Sequence, residues 1–350
     1  MNNGDLSESI TLAHYGMMKW NHGYFRAVLG VSAIIAVIAL FQLPVAEANP
    51  LRWGREWPNT DFSKRSIDFN EILSGGPPKD GIPSIDKPKF VEVAKVTDLT
   101  DTEPVIGLVI KGKARAYPLR ILTWHEIVND ELAGVPVTVT YCPLCNSAIA
   151  FDRRLDGRIL DFGTTGKLRN SDMIMYDRQT ESWWQQFLGE GIVGAMTGKV
   201  LKIIPTRLES FANFKKRAPD GDVLVPSNPG MRDYGANPYA GYDSTPFPFL
   251  FKGDLPKGIN PMVRVVVVEG EAWSLPLLRD KGLITKGDLT LRWWAGQNSA
   301  LDTRAIPKGR DVGNVVVQRK KGGKAEDVAY DVTFAFVFNA FHPNGVLHMN

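Results

Sequence analysis

The chain has 350 residues, 41 Lys and Arg against 38 Asp and Glu, a net charge of +3, and 44% hydrophobic and 23% charged residues. This is a globular composition that buries a core, which excludes a disordered or fibrous chain, and so small a charge excess excludes the basic field needed to grip nucleic acid. The length allows about two domains or one large β-rich body, and 33 Gly with 23 Pro predict many turns and few helices.

At the N-terminus, residues 27–40 (AVLGVSAIIAVIAL) are uncharged and follow Lys19 and Arg26, the charge order of an export signal or of an anchor with its N-terminus in the cytoplasm. The apolar run of about 15 residues is shorter than the roughly 20 that span a bilayer, which favours a signal segment. Ala46-Glu47-Ala48 supplies a small-x-small cleavage pattern. Cleaved or anchored, the body is expected outside the cytoplasm, in the periplasm, touching a membrane only through this segment. Residues 1–48 are assigned to it.

Residues 49–90 are Pro- and Gly-rich and aperiodic, read as an extended lead-in with one helix-like piece at 69–73. A β-hairpin follows at 104–119 around Lys111-Gly112, then a helix at 121–132, a strand at 135–141 and another at 147–151. A further helix is expected at 180–188, and residues 228–256 form a Pro-, Gly- and Tyr-rich loop region. Two stretches echo one another: 111–119 (KGKARAYPL) parallels 269–277 (EGEAWSLPL), and 141–149 (YCPLCNSAI) parallels 293–301 (WWAGQNSAL). The expected fold is therefore α+β and β-rich, with two pseudo-repeated halves, 91–227 and 257–350, and few short helices. The second copy carries Trp294 and Gln297 where the first has Cys142 and Cys145, so the cysteines are an addition to one half.

Cys142-Pro-Leu-Cys145 lies between two strands, the setting of a metal knuckle in which two thiolates converge on one ion. Asn146 follows, and Asn tolerates the left-handed backbone such a turn needs. A redox-active or nucleophilic thiol, with His125 activating Cys142 or Cys145 resolving, and a static turn are the alternatives. One C-x-x-C lacks the second pair of a four-thiolate site, so the other ligands must be histidines: His125 and His342, around a single Zn, Cu or Fe ion. His348, two residues from the C-terminus, is expected to be disordered. Asp177 and Arg178 sit beside Trp183 and Trp184, a pattern that binds a carboxylate or phosphate, or else a turn cap beside core tryptophans. With Asn146 and Ser147 they are the candidate substrate contacts. A third functional class is a non-catalytic module that binds a partner or glycan with its aromatic loops.

The segments DGIPSIDKPKF, GKARAYPLRILTWHEIVND, VTYCPLCNSAIAFDR, FGTTGKLRNSDMIMYDRQTESWW and AFHP, in this order, resemble the bacterial and archaeal family built around the YCPLC motif, domain of unknown function 3179. The resemblance covers about residues 80 to 345 and matches at His125, Cys142, Pro143, Cys145, Ser147, Asp177, Arg178 and His342. It implies an exported or anchored protein and no particular activity. Many relatives have Gly at the position of Asn146 and Tyr at Arg169, and some carry Thr at Cys145, which keeps a single-cysteine site open.

Overall fold

A computed structural model describes residues 50–349. They belong to one unit of the chain, 46–350; the other, 1–45, with the proposed signal segment, lies outside the described residues. No described helix is long and apolar enough to cross a membrane.

The body is β-rich, 41% strand and 15% helix, in a propeller-like arrangement of five sheets, besides a two-stranded ribbon of Arg154–Leu155 and Arg158–Ile159. The first sheet runs Ile72–Ser74, Phe162–Arg169, Asp172–Asp177, Trp183–Gln185 and Glu190–Val193, all antiparallel. The second orders Lys202–Ile204, Ser147–Asp152, Val135–Cys142 and Ile127–Leu132. The third orders Thr206–Ser210, Pro104–Ile110, Lys113–Pro118, Asp222–Val225 and Lys89–Glu92. The fourth joins Asp331–Phe334, Arg264–Val268, Glu271–Ser274 and Val346–His348. The fifth joins Leu283–Lys286, Leu289–Trp294, Asn314–Lys321 and Lys324–Asp327.

The echo between 111–119 and 269–277 has a structural basis. Each is a hairpin turn with both central residues left-handed (Lys111 and Gly112 at φ 47° and 77°, Glu269 and Gly270 at 51° and 76°), the type I′ geometry that suits twisted strands. Each hairpin feeds a seven-residue helix, Leu119–His125 or Leu275–Lys281, and each second strand pairs in parallel with a later one. The second echo fails. Cys142 turns back at once to Ser147, whereas the chain leaving Trp294 returns only at Asn314. With the first sheet lacking a counterpart, the body does not divide clearly into two halves.

Three local expectations are corrected. The helix expected at 121–132 ends at His125, because Glu126 takes φ 57° and the β-branched Ile127 and Val128 open a strand. No helix forms at 180–188: Glu181 is left-handed at φ 54° and Trp183 and Trp184 pair with Tyr176 and Met175 in the first sheet. The lead-in opens with a helix, Pro50–Glu56, and then crosses the first sheet so closely that a Cβ on Gly166 would stand 1.9 Å from the Pro77 carbonyl oxygen.

Two large apolar clusters fill the body. One packs the second, third, fourth and fifth sheets together; the other gathers Met173 and Met175, Ile149 and Phe151, Val265 and Phe334 around Cys142 and Cys145. The cysteine turn thus lies where the first, second and fourth sheets meet.

Candidate metal centre

The strand Val135–Cys142 alternates. Val137, Val139 and Tyr141 enter one apolar cluster, while Thr138, Thr140 and Cys142 share the opposite face. Its turn uses every backbone carbonyl. Cys142 O accepts from Cys145 N at 3.2 Å and Pro143 O from Asn146 N at 3.2 Å. Leu144 O accepts from the Tyr242 hydroxyl at 3.0 Å, and Cys145 O from Thr333 Oγ1 at 2.7 Å. Asn146 closes the turn at φ 53°, as expected, and is locked there: its Nδ2 donates to Val332 O at 2.7 Å and its Oδ1 accepts from Arg264 Nη1 at 3.0 Å. A turn held on all sides fixes where its two thiols stand.

Both thiols are free and buried, Cys142 2% and Cys145 0% exposed. The third group at the site is Asp172. One donor atom from each of Cys142, Cys145 and Asp172 lies within 4.8 Å of the other two. Asp172 reaches this point because Asn170 and Ser171, at φ 53° and 63°, make a tight left-handed turn between Phe162–Arg169 and Asp172–Asp177. Its Oδ2 accepts from Gln185 Nε2 at 2.6 Å and Phe187 N at 2.9 Å, and its carboxyl is also hydrogen-bonded to the Cys145 thiol. Gln185, Phe187 and the Cys145 thiol thus fix the carboxyl's orientation toward the cysteine turn.

Burial dominates the electrostatics. It pushes the Cys142 thiol up and the Cys145 thiol well up, with Asp172 adding to both. It lifts Asp172 to about 7 and Glu126 to about 8. Glu126 is hydrogen-bonded to Tyr239, and its charge is felt by Cys142. Burial thus favours the protonated forms of both thiols and brings Asp172 into the neutral range, so any cation held here would have to displace protons.

The histidines lie apart from this cluster. His125 ends the helix Leu119–His125, its Nδ1 2.7 Å from Pro83 O and its Nε2 2.7 Å from the Tyr234 hydroxyl. Because a carbonyl only accepts, Nδ1 carries the proton and Nε2 accepts from Tyr234, which occupies both ring nitrogens. Burial lowers its pKa and favours that neutral form. His342 caps the helix Ala335–Phe341 and packs its ring against Phe338 and Phe187. His348 is ordered: it ends a strand paired with Glu271–Ser274, stacks on Trp273 and lies 2.9 Å from Glu271 Oε2.

Asp177 is a turn cap, accepting from Thr180 N at 2.6 Å and Trp184 Nε1 at 2.9 Å. Arg178 is paired with Asp86 at 2.6 Å, and Trp183 and Trp184 are fully buried, so neither ring offers a stacking surface. Ser147 is buried at the foot of the cysteine turn, its side chain hydrogen-bonded to the Asp331 carboxyl. A separate cavity of about 300 Å³ is lined by Arg264, Arg310, Trp293 and Met262. Its buried cation Arg264 and its neighbour Arg310 are already paired with Asp243, and Arg310 also with Asp302, leaving little charge for a ligand.

A β-rich body with a buried dithiol and carboxylate where its first, second and fourth sheets meet defines the class. The chain belongs to the family described as protein of unknown function (DUF3179), whose model matches residues 79–345. No curated protein and no solved structure matches it.

Proposed function

We propose that this is an exported, extracytoplasmic protein that binds one metal ion through Cys142, Cys145 and Asp172. The convergence of these three buried donors within 4.8 Å carries the reading. It departs from the sequence expectation in one respect: a carboxylate 27 positions beyond Cys145 takes the place assigned to the histidines. Two thiolates and a carboxylate suit Zn(II), which accepts sulfur and oxygen alike, and three protein ligands leave a fourth position for water or substrate, as in catalytic rather than structural zinc sites. Such an ion would lower the pKa of bound water and polarise a carbonyl or phosphoryl oxygen. A dithiol–disulfide couple is the second reading, since the two free sulfurs lie close enough to approach one another. Burial that keeps both thiols protonated speaks against it.

The test is titration of the reduced, metal-free chain with Co(II), followed by thiolate-to-cobalt charge-transfer absorption and competition with Zn(II). One equivalent is expected to bind, with the band lost in Cys142→Ser and weakened in Asp172→Asn. No band, together with a disulfide that forms between Cys142 and Cys145 on exposure to oxidised glutathione, would replace the metal reading with the dithiol one.

A further inference from the structure

The segment that follows Thr245 (PFPFLFKGD, 246–254) runs without helix or strand, and Phe247 and Phe249 are 64% and 41% exposed. It lies against the residues that frame the cysteine site. The Phe249 carbonyl accepts from Ser171 Oγ, and Ser171 is the residue before Asp172, its own carbonyl 3.7 Å from Cys142 Sγ. Phe249 N donates to the Tyr242 hydroxyl at 3.3 Å, the same hydroxyl that donates to Leu144 O between the two cysteines. Further along, Phe251 packs on Phe336 with ring centroids 5.0 Å apart, and Asn339 Nδ2 donates to Asp254 O at 2.8 Å.

The chain on the near side of this segment is fixed differently. Asp243 is buried and pairs with both Arg264 and Arg310, and Gly241 N donates to Asp302 O at 2.6 Å. Arg310 also donates to Ser244 Oγ at 2.8 Å and Thr245 Oγ1 to Tyr242 O at 2.8 Å, so the fixed stretch ends at Thr245; beyond it a mostly exposed strap is tied down by the Ser171, Tyr242 and Asn339 hydrogen bonds and the Phe251–Phe336 ring contact. Segments with few buried apolar contacts open locally at far lower free energy than the body unfolds.

We propose that residues 246–254 are a flap over the Cys142–Cys145–Asp172 site, latched by Tyr242 and Ser171, whose opening admits the ion and any substrate to a centre otherwise sealed. The proposal rests on the reading of that cluster as the functional site, but its test does not need a metal. The fully reduced chain, held in chelator, is treated with iodoacetamide, and carboxamidomethylation of Cys142 and Cys145 is timed by peptide mass spectrometry, each thiolate displacing iodide. Tyr242→Phe keeps the ring and removes both hydroxyl contacts; Ser171→Ala removes the second latch. About tenfold faster labelling is expected in each variant, with a wild-type rate nearly independent of urea below the unfolding transition. Unchanged rates in both variants would overturn the flap. So would labelling that accelerates steeply with urea, because the thiols would then be reached only by global unfolding. If Co(II) fails to bind while the variants still label faster, the flap stands and the metal reading falls.

Discussion

Asp172 shows how much a single residue's role depends on its surroundings. Its carboxyl is oriented by Gln185 Nε2 at 2.6 Å and by Phe187 N at 2.9 Å, both on the same oxygen. Removing the amide leaves that oxygen with one donor in a site that excludes water, and loosens the carboxyl's orientation toward the thiols. Gln185→Ala is therefore expected to weaken Co(II) or Zn(II) binding by about 10- to 100-fold, the usual cost of losing a group that orients a ligand. Competition against a chromophoric chelator measures it, and an unchanged affinity would show that the Phe187 amide alone suffices. Asn146 was legible from sequence because few residues other than Gly accept a left-handed backbone, so its place after the second cysteine already specified the turn. Asp172 was not legible as a member of the cysteine cluster, since its approach to Cys145, 27 positions earlier, depends on tertiary packing. The Asn170-Ser171 pair between two β-rich runs was the available local signal: it places Asp172 at a hairpin tip, although nothing local says which turn it faces.

At the scale of elements, the helix Pro50–Glu56 and the residue after it join the lead-in to the first sheet. Trp57 is fully buried, edge-on to Tyr176 at 4.7 Å and to Trp183 at 5.4 Å between ring centroids, with Lys79 Nζ 4.2 Å above its ring. Trp53 completes the cluster against Phe69 and Trp183. Such a ring leaves a large cavity when truncated. Trp57→Ala is expected to lower the unfolding free energy by about 3–5 kcal/mol, read as a reduced urea midpoint by far-UV circular dichroism. A loss below about 1 kcal/mol would mean that the lead-in lies on the sheet without stabilising it. The same cluster explains why 180–188 was misread. Two adjacent tryptophans among Glu and Gln carry no period that separates strand from helix, and their state is decided by Tyr176, Trp57 and Trp53 arriving from elsewhere in the chain. The hairpin at Lys111-Gly112, by contrast, was legible because its turn chemistry is local.

Across the whole molecule, burying acids without cations makes stability depend on pH in a predictable sense. Glu126 is lifted by burial from 4.5 to about 8, and Asp331, buried between Ala148 N and Val332 N, from 3.8 to about 6. Between about pH 4 and these values the folded chain keeps protons that the unfolded chain has released, so the native state binds more protons and each rise in pH favours unfolding. The contribution is fully present below the ordinary carboxylate pKa and is lost as pH climbs through 6 and then 8. The carboxylates held low by arginine partners, Asp243 and Asp327, act oppositely, but their contribution is lost only under acid, below the ordinary carboxylate pKa. Burial lowers the pKa of His125 and His342, which adds stability as pH rises toward 6.5, so in chelator the fall in the urea midpoint of the metal-free chain is expected above that, from pH 6.5 to pH 8.5, at up to about 1.4 kcal/mol per pH unit for each acid that has not yet ionised. Glu126→Gln keeps the side chain's shape and its hydrogen-bonding to Tyr239 but cannot ionise, so its profile must be shallower between pH 6 and pH 8 than that of the parent. Parallel profiles would mean that Glu126 is already charged in the folded chain. On the proposed metal reading, a cation would oppose the trend at the cysteine site, because it binds only as Cys142, Cys145 and Asp172 give up their protons, so its affinity is expected to rise with pH. The same fold is then destabilised by alkali when empty and drawn toward its bound state by alkali when the ion is supplied, so the two profiles, measured side by side, separate the acids that face the metal from those that do not.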